Sequence, residues 1–192
     1  MSSIRRYSKT WFWSRSSWAE IPRSERSFVD AELSGGEWTL DTTASSIGFQ
    51  AKAAFGMKVN GRFGRHESTI TVGSSVSEST VSAIIWTDSV DTGIKLRDEH
   101  LRAENVFASA TFPTLEFRST AVVETPTGLN VSGTLRVRDI TQSVTFEASR
   151  STTPGPPRYT AAVVVSPKEY GITRWGTTKP VKVILEATLT RV

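Results

Sequence analysis

From Glu37 onward, hydrophobic and polar residues alternate with a period of two, segment after segment. Successive side chains of a strand point to opposite faces, so the pattern predicts half-buried β-strands almost throughout. In "SIGFQAKAAF" it puts Ile47, Phe49, Ala51 and Ala53 on one face. "KVNGRFGRHESTITV" does the same for Val59, Phe63, Ile70 and Val72, and its glycines predict a bend or bulge. Val81, Ala83 and Ile85 follow, then Leu115 with Phe117, and Val131, Leu135 and Val137. Val144, Phe146 and Ala148, then Val163 with Val165, and last Val181, Val183 and Leu185 complete the series. Turn chemistry joins neighbouring segments at Thr125-Pro126-Thr127-Gly128 and at Arg138-Asp139-Ile140-Thr141. Roughly eight such strands joined by hairpins describe an antiparallel sheet with one buried face. Closing it into a barrel removes the exposed edges and leaves room for packed side chains or one small ligand. A two-sheet sandwich is the alternative.

One stretch departs from the period of two. "DTGIKLRDEHLRAENVF" has helical spacing at Ile94, Leu96 and Leu101, and later at Val106-Phe107, which predicts a helix near residues 94–105. Asp91 or Thr92 is placed to cap it. Leu96 and Leu101 are expected against the barrel, with Glu99 and Arg102 towards water. Asp91-Thr92-Gly93 is also the tripeptide of aspartic proteases. That chemistry needs two carboxylates sharing a proton, and the chain has a single such tripeptide, so it reads as turn and cap.

Several inward positions carry alanine: Ala51, Ala53, Ala83, Ala148 and Ala161. Small residues there either leave a tunnel or accommodate tight strand packing, and the pattern leaves both open.

Composition narrows the chemistry. Residues 1–36, Ser/Arg-rich with Trp11, Trp13 and Trp18, are expected to form a flexible arm outside the domain of residues 37–192. A disordered or loosely docked tail is the plainer reading of that arm, and contact with a membrane surface the sharper one. Net charge is +4, but no Lys/Arg block stands out beyond Arg5-Arg6, which argues against nucleic-acid binding. The absence of cysteine excludes thiol catalysis and cysteine-ligated metals. The only histidines, His66 and His100, are far apart in sequence, so no dedicated metal site is expected. No apolar run approaches the ~20 residues of a membrane-spanning helix. Arg15 interrupts the N-terminal apolar stretch and no small-residue cleavage site follows, so the chain is expected to stay in the cytoplasm. No nucleophile elbow, phosphate loop or zinc-protease motif occurs. Asp98 and Glu99, adjacent on a helix, point to different faces and make no dyad by sequence alone.

At this point the residues resemble a known family. "WTLDTTASSIGFQAK" looks like the opening strand pair of the YceI-like family of polyisoprenoid-binding proteins, and "VNGRFGRHESTITV" like its Val-x-Gly-x-Phe segment. "VDTGIKLRDEHLRAENVFASATFPTLEFRST" is similar to its most distinctive stretch, and "VSGTLRVRDITQSVTF" to its later hairpin. "PKEYGI" matches its C-terminal turn loosely. The resemblance covers roughly residues 37–192. It implies an all-β fold, an extended eight-stranded antiparallel lipocalin-like barrel with one inserted α-helix. It also implies non-catalytic binding, carriage or storage of a long apolar isoprenoid-type lipid, a polyprenyl chain or quinone tail, with no other cofactor. Combined with the alternation, it marks Phe49, Ala51, Ala53, Phe63, Ala83, Ile85, Phe117, Leu135, Phe146, Val163 and Val183 as the candidate cavity lining. Two departures stand out. Ala53 occupies the place of a histidine frequent in the family, and Asp139 replaces a turn glycine, where aspartate tolerates a left-handed backbone. Two other functions are carried alongside: an enzyme acting through the Asp98/His100 helix, and a solidly packed interaction barrel. Whether the chain forms a homodimer stays open.

Overall fold

The computed structural model describes Leu33 and residues 35–52, 57–173 and 179–192. The expectations for the N-terminal arm, and for Ala53, lie outside the described residues. Eleven strands are present among them: β1 Gly36–Leu40, β2 Ser46–Lys52, β3 Lys58–Phe63, β4 His66–Val72, β5 Thr80–Trp86, β6 Val90–Asp91, β7 Thr114–Thr125, β8 Gly128–Val137, β9 Ile140–Arg150, β10 Arg158–Val165 and β11 Val181–Arg191. One α-helix, α1 (Lys95–Arg102), lies between β6 and β7.

Every pairing is antiparallel, and the pairings reduce eleven strands to eight. β11 pairs with both β1 (Leu40 opposite Leu189) and β2 (Phe49 opposite Val183), so β1 and β2 are two halves of one broken strand. β4 pairs with β1 while β3 pairs with β2, and β5 pairs with β4 while β6 pairs with β3. From β7 to β11 the strands are continuous, each bonded to the next in the chain. The ring closes where β11 meets the β1/β2 strand. This is an up-and-down eight-stranded barrel, the architecture expected from the alternation; the sandwich is not formed.

The breaks have local causes. Between β1 and β2 the carboxylate of Asp41 accepts the N–H groups of Thr43 (2.8 Å) and Ala44 (3.2 Å), fixing a tight turn. Between β3 and β4 the bend falls at Gly64-Arg65, where the Gly64 N–H donates to the Ser89 carbonyl. Between β5 and β6 a short 3-10 turn, Thr87–Ser89, is tied down by Thr87. Its hydroxyl is buried and donates to the carbonyls of Phe112 and Pro113. Gly61 has a different task from a bend. A Cβ there would sit 2.3 Å from the ring of Phe49 on the neighbouring strand, so glycine lets that aromatic lie flat across β3.

Several expectations are corrected. Helix α1 is shorter than 94–105, and its N-cap residue is Ile94, which supplies no side-chain cap. Leu96 is 63% exposed rather than buried, because the helix turns its Leu101 face to the barrel. Arg102 is half-buried and donates to the Val90 carbonyl at 2.9 Å instead of facing water. In the β8–β9 hairpin, Val137 pairs with Ile140 across a two-residue turn. The left-handed residue is Arg138 (φ 59°), not Asp139, since the first position of such a turn takes the positive φ. Its guanidinium lies 5.7 Å from the Phe112 ring centroid.

Candidate functional site

Because the alternation is regular, one face of every strand reaches the interior, and the size of these side chains decides whether the barrel is filled. It is not. One chamber of about 250 Å³ and another of about 150 Å³ lie inside, and Leu135 and Val183 line both. The larger chamber occupies the end where β1, β5, β8 and β10 begin. The smaller occupies the end where β3, β9 and β11 begin.

The larger chamber owes its space to small residues on adjoining strands. Ala148 of β9 stands opposite Ala161 of β10 in register, and Ala187 of β11 stands opposite Tyr159. All of them line the chamber. In ring order β9 and β10 face the β4 and β5 wall, where Ile70, Val81, Ala83 and Ile85 complete the enclosure. Phe117 and Phe146, ring centroids 5.6 Å apart, form the aromatic part of the lining. Polar side chains are few. The Ser68 hydroxyl accepts the Leu40 N–H at 2.9 Å, and that of Ser79 accepts the Gly73 N–H at 3.2 Å. Both oxygens are thus engaged with the backbone of the wall.

The smaller chamber is closed by segments that are not strands. Leu101 of α1, Val106 and Phe107 after it, and Pro167, Tyr170 and Ile172 after β10 cover it. Phe63 anchors this region, 5.7 Å from Phe49 and 5.8 Å from Phe107 between ring centroids. Burial, with Glu169 beside it, pushes the Tyr170 phenol up to about 12, so it remains protonated. Arg97 also lines this chamber. Its Nε donates to the Thr92 hydroxyl (2.8 Å) and its Nη2 to the Thr92 carbonyl (2.9 Å).

The Asp-Thr-Gly tripeptide has a structural task. Asp91 accepts the Gly93 N–H (2.9 Å) and pairs with Arg62 (3.1 Å); these two partners hold its carboxyl below the usual carboxylate range. The buried Asp98 carboxylate accepts both the N–H (2.9 Å) and the hydroxyl (2.5 Å) of Thr92. Tripeptide and Arg-Asp pair together lock the turn to the helix, so the sequence feature that suggested catalysis holds the cover of the smaller chamber. Asp98, Glu99 and His100 line neither chamber.

Of the sequence-predicted lining, Ala83, Ile85, Phe117, Phe146 and Val163 stand on the larger chamber, and Phe49, Ala51 and Phe63 on the smaller. Leu135 and Val183 stand on both. Leu40, Tyr159, Ala187 and Leu189 also line the interior; the alternation did not mark them, although their strand phase was there to be followed. Tyr170 and Ile172 escaped for another reason, having no period to betray them, and Val106 continued the helical spacing without being marked as lining. His66 was passed over as well. It shares the inward phase of Ser68 and Ile70 on β4, is 6% exposed, and its Nδ1 has no hydrogen-bond partner. Burial lowers its pKa, favouring the neutral ring. Among the described residues no cluster of side chains is suited to hold a metal ion.

This geometry can be set beside known proteins. A profile of the YceI-like domain matches residues 38–189, the whole barrel. The chain belongs to the YceI-like family. A UPF0312 protein of Shewanella denitrificans is 31% identical over 120 residues, 60% of this chain and 63% of that one. A Yersinia pestis UPF0312 protein is 40% identical over 68 residues, 35% of each. The matched stretch therefore spans less than two-thirds of these relatives. The fold is shared with Burkholderia cenocepacia BcnA, with TM-score 0.71 and 16% identity over 79% of this chain and 99% of that one. It is shared also with a polyisoprenoid binding domain from Saccharophagus degradans, with TM-score 0.61 and 17% identity over 80% and 98%. The YceI-like barrel fold is thus common to this chain and to those structures.

Proposed function

We propose that the barrel binds one long apolar chain of isoprenoid type, a polyprenyl chain or quinone tail, lying through both chambers, and performs no chemistry on it. The observation that carries this reading is the pair of adjoining apolar chambers. Water enclosed there would find almost no hydrogen-bond partners, whereas an apolar chain loses nothing by leaving water. Roofed and walled space near the scale of small-molecule sites favours a ligand over a packed interaction barrel. The Saccharophagus degradans protein of the same fold is a polyisoprenoid binding domain, which agrees with this ligand class. The enzyme reading lacks support from the helix, since Asp98 is committed to Thr92 and no carboxylate or imidazole of α1 faces the cavity.

The test is uptake of a fluorescent prenyl analogue by the full chain and by Ala148→Phe and Ala161→Phe. Filling the larger chamber should abolish uptake while the melting temperature holds or rises. Uptake that persists in both folded variants would place any ligand elsewhere. Loss of stability by roughly 1–3 kcal/mol, with no uptake by the parent, would favour a packed core.

A further inference from the structure

The distribution of lysine along the chain maps onto one end of the barrel. Residues 33–192 contain six lysines: Lys52, Lys58, Lys95, Lys168, Lys179 and Lys182. Lys52 ends β2, and Lys58 opens β3 opposite it. Lys95 is the first residue of α1, Lys168 lies in the turn after β10, and Lys179 and Lys182 flank the start of β11. The up-and-down topology brings all these positions to the end of the barrel that holds the smaller chamber. All six are exposed. Among the described residues the opposite end has no lysine; there Arg150, Arg158 and Arg191 are offset by Glu37, Glu78, Glu124 and Glu147. At the lysine end the six lysines outnumber the exposed carboxylates, Glu99, Glu104, Asp139 and Glu169, while Asp91 is taken up by Arg62. Positive charge therefore leads at this end.

The same end also exposes large apolar side chains. Met57 is 62%, Ile94 52% and Leu96 63% exposed, and each is adjacent in sequence to Lys58 or Lys95. Apolar residues interleaved with flexible, strongly hydrated cations suit an interface between water and hydrocarbon. The apolar tips enter the headgroup boundary while lysines reach anionic phosphates. A protein or duplex partner does not call for this combination. A duplex is bound through phosphates without apolar tips, and protein interface cores are depleted in lysine.

We infer that the lysine-bearing end of the barrel docks on an anionic lipid bilayer, with Ile94 and Leu96 at the start of α1 touching the headgroup region. The surface adjoins the cover of the smaller chamber, since Arg97 and Leu101 of the same helix line that chamber. A chain drawn from the bilayer would meet the barrel at its helical cover. That use rests on the lipid-binding reading above, whereas the docking itself does not.

The absence of cysteine gives a direct test in the full chain. An environment-sensitive dye is attached at Leu96→Cys, and separately at Thr153→Cys in the β9–β10 connection at the other end. Each is mixed with vesicles of phosphatidylcholine, with or without about one-third phosphatidylglycerol, at ~0.1 M salt. The Leu96 probe should shift to the blue with anionic vesicles and not with neutral ones, while the Thr153 probe stays unchanged. In co-flotation, Lys58→Glu/Lys95→Glu should bind anionic vesicles at least about tenfold more weakly than the parent. Arg118→Glu/Arg158→Glu, the same charge change elsewhere on the barrel, should bind within about twofold of it. An unshifted Leu96 probe, or equal weakening in both double variants, would overturn the docking surface and leave the N-terminal arm to explain any binding. Binding to a short DNA duplex without binding to vesicles would overturn it too. Failure of prenyl uptake with these shifts intact would remove the ligand reading and leave the docking surface standing.

Discussion

The two ends of the barrel solve the same problem differently. At the larger chamber the enclosure is mostly wall: strands whose inward positions, Ser68 apart, are aliphatic, aromatic or alanine. At the smaller one it is cover: a short helix and two irregular segments packed over Phe49 and Phe63. Space in the first comes from side chains too small to meet across the barrel. Space in the second is what the cover leaves above a ring of aromatics. A residue on the wall therefore borders a void and loses few contacts when trimmed, whereas one under the cover is held from several directions.

A matched pair of truncations puts wall and cover against each other. Phe63→Ala, under the cover, should cost about 3–5 kcal/mol in a denaturant melt. Phe146→Ala, half-buried against the larger chamber, should cost at least about 1 kcal/mol less, because its cavity already exists. Equal losses would mean that the chambers are no more than packing defects. Leu101→Ala tests the cover from the helix side and should cost about 2 kcal/mol, with the smaller chamber opened. A change within the noise of the melt would mean that the helix is peripheral.

At the junction, Leu135→Ala should merge the two chambers. We expect a loss of about 2 kcal/mol in the empty barrel and tighter uptake of longer prenyl probes relative to shorter ones. An unchanged length preference would separate the chambers functionally. Asp98→Ala removes the acceptor of two Thr92 donors and should cost about 1–3 kcal/mol, with Asp98→Asn recovering part of it.

The smallest effect is electrostatic. The Nδ1 of His66 is buried without a partner, so the folded pKa lies below its ordinary value of 6.5 and the unfolded chain takes up the proton first. The neutral ring's contribution is complete above the ordinary value and is lost as pH falls from it towards the lowered one. The melting temperature of the parent should drop between about pH 7.5 and about pH 5.5, and that of His66→Gln should drop less. Parallel curves would assign the pH dependence to other groups.

The same contrast separates what could be read along the chain from what could not. The wall was legible because its physics is local. A period of two fixes which face is buried, and Phe117, Leu135, Phe146 and Val183 stand where that period puts them. Across the breaks the inward positions change parity, from Leu40 to Ile47 and from Phe63 to His66, and the turn at Asp41 and the bend at Gly64-Arg65 reset the alternation to the inward side. The cover was not legible for the same reason in reverse. Tyr170 and Ile172 are buried by a segment with no period, Val106 is buried beyond the end of the helix whose spacing it continued, and Leu96 sits on an apolar helical position that tertiary packing leaves outside. The Asp-Thr-Gly and Arg-Asp residues were recognisable as a motif. Their purpose as one hydrogen-bonded lock became clear only with Asp98 and Thr92 side by side.

Whether the interior holds an apolar chain is decided by organic extraction of the purified chain followed by mass spectrometry, with native mass spectrometry of the same sample before extraction. We expect a bound species whose mass and fragmentation fit an isoprenoid-type lipid, or, from a lipid-free preparation, stoichiometric uptake of an added polyprenol. A bare chain in every preparation, together with no uptake of the added polyprenol, would show that the chambers hold no such lipid.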